Sequence, residues 1–254
     1  MRLLLIDNSN TRTKLAVGTA GGLEEQMERV PTPGLEAALL PELLGRFEFD
    51  AAVICSVVPI KAVLLRKALA GVPLHEISHR SNLPIGIDYP QPEQIGADRL
   101  ANASAIHQRC GTPAIVIDFG TAVTFDVVGL SRRSQQAKTE SPGSYLGGVI
   151  APGLSSLTEY LHRRTALLPQ IDLAEPESAI GKSTTAAMRA GAVYGYRGMI
   201  REILGAIRSE LEADPMVVAT GGDAPLIAGG LPEIREVVPD LTLAGIDLIG
   251  RRNL

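Results

Sequence analysis

The chain has 254 residues, of which 45% are hydrophobic, 20% charged and 4% aromatic, with no Trp. That length suits two domains of about 120–130 residues better than one, and the apolar fraction suffices for cores built from Leu, Ile, Val and Ala. The formal net charge is −4 and there is no basic run, which argues against nucleic acid or an anionic membrane as a partner.

In chain order, Leu3 to Ile6 reads as a buried strand, Asp7-Asn8-Ser9-Asn10-Thr11 as a polar turn, and Leu15-Ala16-Val17 as a return strand. Asp and Asn tolerate unusual φ and bond their own backbone, so a hairpin is the simplest reading. A helix is expected over Leu35 to Leu44 and a strand over Ala51 to Cys55. Pro59, pre-set for a first helical turn, should open a helix reaching about Ala70. Val72 to Ile77 reads as a strand, Asn82 to Pro92 as a Pro-rich loop, and Arg99 to about Arg109 as a helix.

A second cycle follows. Ala114 to Ile117 is apolar, Asp118-Phe119-Gly120-Thr121-Ala122 is a turn, and Val123 to Val128 returns. Laid on the first hairpin at a constant offset, Asp7 meets Asp118, Ser9 meets Gly120, Thr13 meets Thr124 and Val17 meets Val128, which points to an internal duplication. Leu130 to Gly143 reads as a polar excursion, Tyr145 to Ile150 as a strand, and the stretch after Gly153 as a helix to about His162. Thr184 to Leu211 is the longest helical pattern, and Met216 to Ala219 a last buried strand. The tail Leu241 to Arg252 reads as a short strand and helix. The expected architecture is α/β with domains at 1–112 and 113–254, each a mixed sheet flanked by helices.

No stretch approaches the 20 or so apolar residues of a membrane span, and the first apolar run is too short for a signal peptide. Cys55 and Cys110 are too few for a disulfide framework and are expected as free, buried thiols, which suits a cytoplasmic protein.

The two turns suggest phosphate chemistry. A phosphate chain needs backbone N–H groups and hydroxyls on a tight turn, and carboxylates to hold Mg²⁺ directly or through water. Asp7 and Asp118 end buried strands, Asn10, Thr11 and Thr121 follow them, and Lys14 is within reach of a phosphate oxygen. Ordinary turn chemistry would account for either turn alone. The pair gains weight from Thr220-Gly221-Gly222-Asp223 after a third buried strand, where Gly-Gly lets a flat adenine ring approach the backbone. Between the cycles lies Gly96-Ala97-Asp98-Arg99. Asp98 is a candidate general base for a substrate hydroxyl, and Arg99 a partner for a substrate carboxylate. Read alone, the pair could also be an ordinary helix start, with Asp favoured by the dipole.

Together these motifs resemble the superfamily of acetate and sugar kinases, heat-shock ATPases and actin, and within it type III pantothenate kinase. The matching stretches run in family order through Asp7–Lys14, Tyr89–Arg99, Asp118–Ala122, Gly147–Gly153, Gly181–Thr184 and Thr220–Gly222, covering nearly the whole chain. The resemblance implies two ribonuclease-H-like domains with a cleft between them, ATP-dependent phosphorylation of pantothenate to 4'-phosphopantothenate as the first step of coenzyme A biosynthesis, and a homodimer. It assigns proton acceptance to Asp98, pantothenate contacts to Tyr89, Gly96, Ala97, Asp98, Arg99 and Thr184, and a K⁺ or NH₄⁺ ion to Asp118. ATP contacts fall on Thr121 and on the first turn, Asp7, Asn8, Ser9, Asn10, Thr11, Arg12, Thr13 and Lys14, with Mg²⁺ accompanying the nucleotide. One residue departs from the family pattern: Ser9 stands where the family has Gly, exchanging backbone freedom for a hydroxyl.

Two alternatives come from the same resemblance. One is a regulatory protein like the Bvg accessory factors, which a basic surface would favour. The other is a superfamily kinase for a different alcohol or acid. Two further motifs carry little. His75-Glu76-Ile77-Ser78-His79 fits a zinc-protease pattern that works only on a helix, and here it reads as a strand. Gly181-Lys182-Ser183-Thr184 resembles the end of a P-loop but has Pro176 where that motif needs Gly, and no strand leads into it.

Overall fold

Four residues with no exposed surface, Leu3 to Ile6, form the heart of the first strand and set the first sheet. The computed structural model describes residues 1–130 and 143–254, and all but the ends of the polar excursion at 130–143 lies outside them. The chain groups into two units. One comprises Met1–Gly111, Leu130–Leu146 and Asp240–Leu254; the other comprises Thr112–Gly129 and Gly147–Pro239.

In the first unit, β1 (Leu3–Asn8) pairs antiparallel with β2 (Arg12–Thr19), which pairs with β3 (Gly22–Pro31). On its other side β1 pairs in parallel with β4 (Ala51–Ser56), and β4 with β5 (Leu74–Glu76), giving the order β3-β2-β1-β4-β5. Successive strand residues face opposite sides. Leu4, Ile6, Leu15, Val17 and Ile54 therefore face a core shared with α1 (Leu40–Leu44) and α2 (Pro59–Ala68). Helix α1 is shorter than its apolar pattern suggests. Pro41 sits in its first turn, and its ring would clash with a preceding helical turn, so the helix cannot extend back to Leu35. Strand β3 is rich in Glu and half exposed. A charged edge strand of this kind resists pairing with another chain, and its polarity hides it from an apolar-run search.

The short strand β6 (Gly86–Ile87) and α3 (Ala97–Cys110) follow. Cys110, at the end of α3, is exposed rather than buried, whereas Cys55 is buried as expected.

The second unit repeats the first. Strand β7 (Ala114–Phe119) pairs antiparallel with β8 (Ala122–Gly129), and β9 (Ser144–Pro152) lies beyond β8. Helices α4 (Leu154–Arg164) and α5 (Thr184–Glu210) precede β10 (Met216–Thr220), which pairs in parallel with β7. After α6 (Ala224–Ala228) comes β11 (Glu236–Val237), parallel to β10. The order β9-β8-β7-β10-β11 matches β3-β2-β1-β4-β5 strand for strand. The register matches too, since Leu3 lies opposite Ala51 and Asp7 opposite Cys55, as Ala114 lies opposite Met216 and Asp118 opposite Thr220. The first residues of β9, Ser144 and Tyr145, pair with β6 within the first unit.

The offset between the copies is constant only up to the turns. Asp7 faces Lys14 and Asn8 faces Thr13 across the first hairpin, while Asp118 faces Thr124 and Phe119 faces Val123 across the second. The second turn is one residue shorter, so Thr124 is the counterpart of Lys14, not of Thr13.

The tail is a single helix, α7 (Leu241–Asn253), with no strand in it. It covers the other face of the first sheet, where Gly250 lies against Val53 and Leu3. It also packs on α3 so closely that a Cβ on Gly245 would collide with the Ala101 carbonyl. The buried Thr242 hydroxyl donates to Asn102 Oδ1 at 2.8 Å. This contact fixes α3, and with it the position of Asp98. No helix among the described residues is long and apolar enough to cross a membrane.

Candidate active site

The first turn is held by a chain of buried and half-buried hydroxyls and one amide. Ser56 Oγ donates to Asn8 Oδ1 at 2.7 Å, and Asn8 Nδ2 donates to Thr13 Oγ1 at 2.7 Å. Thr13 and Thr32 share a bond at 2.9 Å, and Thr32 Oγ1 donates to the Ser9 carbonyl at 2.7 Å. With Thr32 donating onward, Thr13 is the donor between the two. All bonds then point one way, which strengthens each. Asn8 and Thr13 are buried and spend their side chains on this network. Ser9 is half-buried, while Asn10, Thr11 and Arg12 are exposed on the turn.

Asp7 is buried at the end of β1, and both its oxygens are engaged. Ser9 Oγ donates to Oδ1 at 2.9 Å, and Lys14 Nζ stands 3.4 Å from Oδ2. The Ser9 hydroxyl thus orients this carboxylate.

Asp98 lies in the first turn of α3, half-buried. Its Oδ1 accepts the Arg99 N–H at 2.8 Å. Burial first, and then the negative charge of Asp7, push its carboxyl above the usual aspartate range, against the pull of the Arg99 backbone and charge. The effect of Asp7 on Asp98 is the electrostatic sign that the two acids share a neighbourhood. Buried Cys55, opposite Asp7 on β4, feels both carboxylates, and burial foremost keeps its thiol protonated.

Gly96 is needed for space. Its backbone is ordinary, at φ −58° and ψ 141°, but a Cβ there would stand 2.5 Å from Asp98 Oδ1. The Arg99 guanidinium lies 5.7 Å from the centre of the Tyr145 ring, and Tyr89 meets Tyr145 at 6.1 Å between centroids. A cation over an aromatic face is attracted to it, so Tyr145, fully buried, is a support for Arg99 that motif reading missed. Its only sequence signal was an aromatic ring in a chain poor in them.

In the second unit, glycines set the geometry. A Cβ on Gly153 would collide with the carbonyls of Gly120 and Thr121. The Gly153 N–H and Ser156 Oγ both donate to the Thr121 carbonyl, at 3.1 and 3.0 Å. Gly221 adopts φ +94°, and a Cβ there would meet the Phe119 carbonyl at 2.5 Å and Asp118 Oδ1 at 2.7 Å. Asp118 is half-buried and Thr121 exposed. Tyr196 Oη donates to the Pro152 carbonyl at 3.2 Å, and burial raises its phenol's pKa.

Thr184 is the exposed first residue of α5, capped by Ser183, whose Oγ accepts the Ala186 N–H at 3.1 Å. The Gly181–Thr184 stretch is thus a capped helix start with no strand before it. Tyr89, Gly96, Ala97, Asp98 and Arg99 belong to the first unit together with the Asp7–Lys14 turn; Asp118, Thr121 and Thr184 belong to the second. His75 lies on a strand, with Nε2 2.8 Å from Ser81 Oγ, so the zinc-protease pattern lacks its helix. Among the described residues no three His, Cys, Asp or Glu side chains converge on a metal position. The oxygen donors of the two turns suit hard cations that complete their shells with phosphate or water.

A five-stranded mixed sheet made twice, each copy ending its central strand in an Asp-bearing turn, defines the kinase class with two ribonuclease-H-like units that includes sugar kinases and actin. The fold agrees. A Baf family protein from Campylobacter jejuni superposes with a TM-score of 0.57 at 16% identity, covering 98% of this chain and 97% of its own. A glucokinase from an Antarctic psychrotroph gives 0.51 at 11%, covering 98% and 99%.

Within that class the sequence is specific. Residues 3–206 match the family model for type III pantothenate kinase. A type III pantothenate kinase of Akkermansia muciniphila is 50% identical over 254 residues, covering all of both chains. One of Methylacidiphilum infernorum is 41% identical over 250 residues, covering 98% of this chain and 88% of its own. The chain belongs to the type III pantothenate kinase family.

Proposed function

We propose that the protein transfers the γ-phosphoryl group of ATP to the primary hydroxyl of pantothenate, giving 4'-phosphopantothenate for coenzyme A synthesis, with Asp98 as general base. The observation that carries this reading is the Asp98 carboxylate. It is anchored by the Arg99 N–H and desolvated at a helix start. Among the described residues it has no side-chain hydrogen-bond partner, so it keeps acceptor capacity for a hydroxyl. Its raised pKa makes it a better proton acceptor than an exposed aspartate.

Arg99, steadied over Tyr145, pairs with the pantothenate carboxylate, and Tyr89, Gly96, Ala97 and Thr184 complete the acceptor's contacts. The turn Asp7–Lys14 and Thr121 hold the nucleotide. Ser9, Asn10, Thr11, Arg12 and Lys14 face it, while Asn8 and Thr13 keep the turn rigid. Mg²⁺ neutralises phosphate charge when bound. Asp7 would help hold that ion, and Asp118 would hold a monovalent cation. The protein works in the cytoplasm as a homodimer.

The test is ADP release with and without pantothenate and K⁺. ADP release that requires pantothenate and is stimulated by K⁺ is expected. ADP release that is indifferent to pantothenate, or that needs a different acceptor, would overturn the reading.

A further inference from the structure

Two arginines near the first turn have no side-chain partner among the described residues. In the first unit Arg2, Arg46, Arg66 and Arg251 each pair with a carboxylate. Arg12 and Arg29 have neither an ion pair nor a hydrogen bond from their side chains among the described residues. Both are exposed, and together with Thr11, Val30 and Pro31 they line a cavity of about 310 Å³.

The register explains how they come together. Lys14 lies opposite Asp7 on one side and opposite Arg29 on the other, and Arg12 lies opposite Pro31. Side chains two apart on a strand share a face. Arg12, Lys14 and Arg29 therefore stand on the same face as Asp7. Lys14 is neutralised by Asp7 at 3.4 Å, whereas the two arginines are not neutralised by anything described. Adjacent like charges on a sheet repel, and an anion between them would relieve that cost. Guanidinium groups suit phosphate oxygens in particular, because their N–H donors form a planar fork.

We propose that Arg12 and Arg29, with the Thr11 turn, form a phosphate-binding subsite that continues the Asp7–Lys14 row. Its ligand is a phosphoryl group of the nucleotide beyond the α-phosphate, and Arg29 is a nucleotide contact that no motif marks. This rests on the nucleotide reading of the first turn made above. A free phosphate ion has the same chemistry, and the test separates the two sources.

The experiment measures binding to the full-length protein without pantothenate, so it does not depend on the acceptor. ATP, ADP, AMP and inorganic phosphate are titrated into the wild type, Arg29→Gln, Arg29→Lys and Arg12→Gln, with Arg46→Gln as a control for charge alone. Losing a charge-assisted bond to phosphate weakens binding about ten- to hundredfold. Arg29→Gln and Arg12→Gln are each expected to lose that much affinity for ATP and ADP while holding AMP within about twofold. Arg29→Lys should recover part of the loss and Arg46→Gln show none. If only inorganic phosphate binding falls, the subsite stands but its ligand is the free ion, and the nucleotide assignment is overturned. If Arg29→Gln matches the wild type for every ligand, the subsite is overturned. A wild type that binds ATP yet shows no pantothenate-dependent turnover would sink the kinase reading and leave this result legible.

Discussion

The two hairpins share strand order and register but hold their turns by different means. The β1–β2 turn is fixed by side chains, through the relay Ser56, Asn8, Thr13 and Thr32 beneath an ion pair of Asp7 and Lys14. The β7–β8 turn is one residue shorter and has Thr124 where the first has Lys14. It is fixed by backbone packing against Gly153 and Gly221, which leave no room for a methyl group. After duplication, one copy kept its turn rigid with buried polar bonds and charge, the other with close backbone contact. The first copy can therefore offer charged groups to a ligand, and the second mainly backbone and one carboxylate.

The sharpest break of that comparison is Gly221→Ala. The positive φ and the collision with the Phe119 carbonyl should cost about 2–4 kcal/mol. That would appear as a melting temperature lower by about 5–15 °C. Gly222→Ala, with nothing within 4 Å of its Cβ, should stay within about 0.5 kcal/mol of the wild type. Equal losses at both glycines would mean that backbone packing is not what holds the second turn.

Next in size is Asn8→Ala. It takes the Asn8 acceptor from the half-buried Ser56 hydroxyl and the Asn8 donor from the buried Thr13 hydroxyl, and should cost about 1–3 kcal/mol in chemical denaturation. The KM for ATP should rise while that for pantothenate holds. A neutral result would show that the relay does not stiffen the first turn.

A pH profile sharpens the electrostatic side. In the proposed role of general base Asp98 must be ionised to accept a proton, and burial and the charge of Asp7 raise its carboxyl above the usual aspartate range. The acid limb of kcat/KM should therefore lie above that range, with activity lost as pH falls through it. Asp7→Asn removes one of the raising causes, so the limb should move to lower pH, whatever happens to the maximal rate. An unmoved or raised limb would separate the two acids.

The smallest effect is expected from Ser9→Gly, which restores the family residue and removes one hydrogen bond to Asp7. ATP affinity should fall about two- to tenfold, read by calorimetry. A gain in affinity would show that the hydroxyl obstructs rather than orients.

The buried strands, the two hairpins and the long helix from Thr184 were legible because each is an apolar run bounded by turn or capping residues. Strand β3 was not, since an edge strand with Glu24, Glu25 and Glu28 lacks the alternation of a half-buried one. Helix α1 looked longer than it is because Leu35, Leu39 and Leu40 are apolar while Pro41 fixes where a helix can begin. The tail gave a helix but not its place against α3, because Gly245 and Ala101 meet across 144 positions and no local pattern carries that distance. The one-residue slip between the hairpins was invisible for a similar reason. Both return strands carry Thr near the turn and an apolar stretch after it, and only cross-strand pairing tells Lys14 from Thr13 as the partner of Asp7. At the site, Asp98 and Arg99 stood out as candidates because they sit together in one motif. The stacking of Arg99 on Tyr145 and the place of Arg29 beside Arg12 did not, because both depend on neighbours supplied by other strands.

The most direct test of the account is single-turnover phosphoryl transfer to pantothenate by Asp98→Asn, with ATP binding measured on the same preparation. The account predicts transfer slowed roughly 10²–10⁴-fold with ATP affinity within about threefold of the wild type. Transfer at a rate near that of the wild type would contradict it.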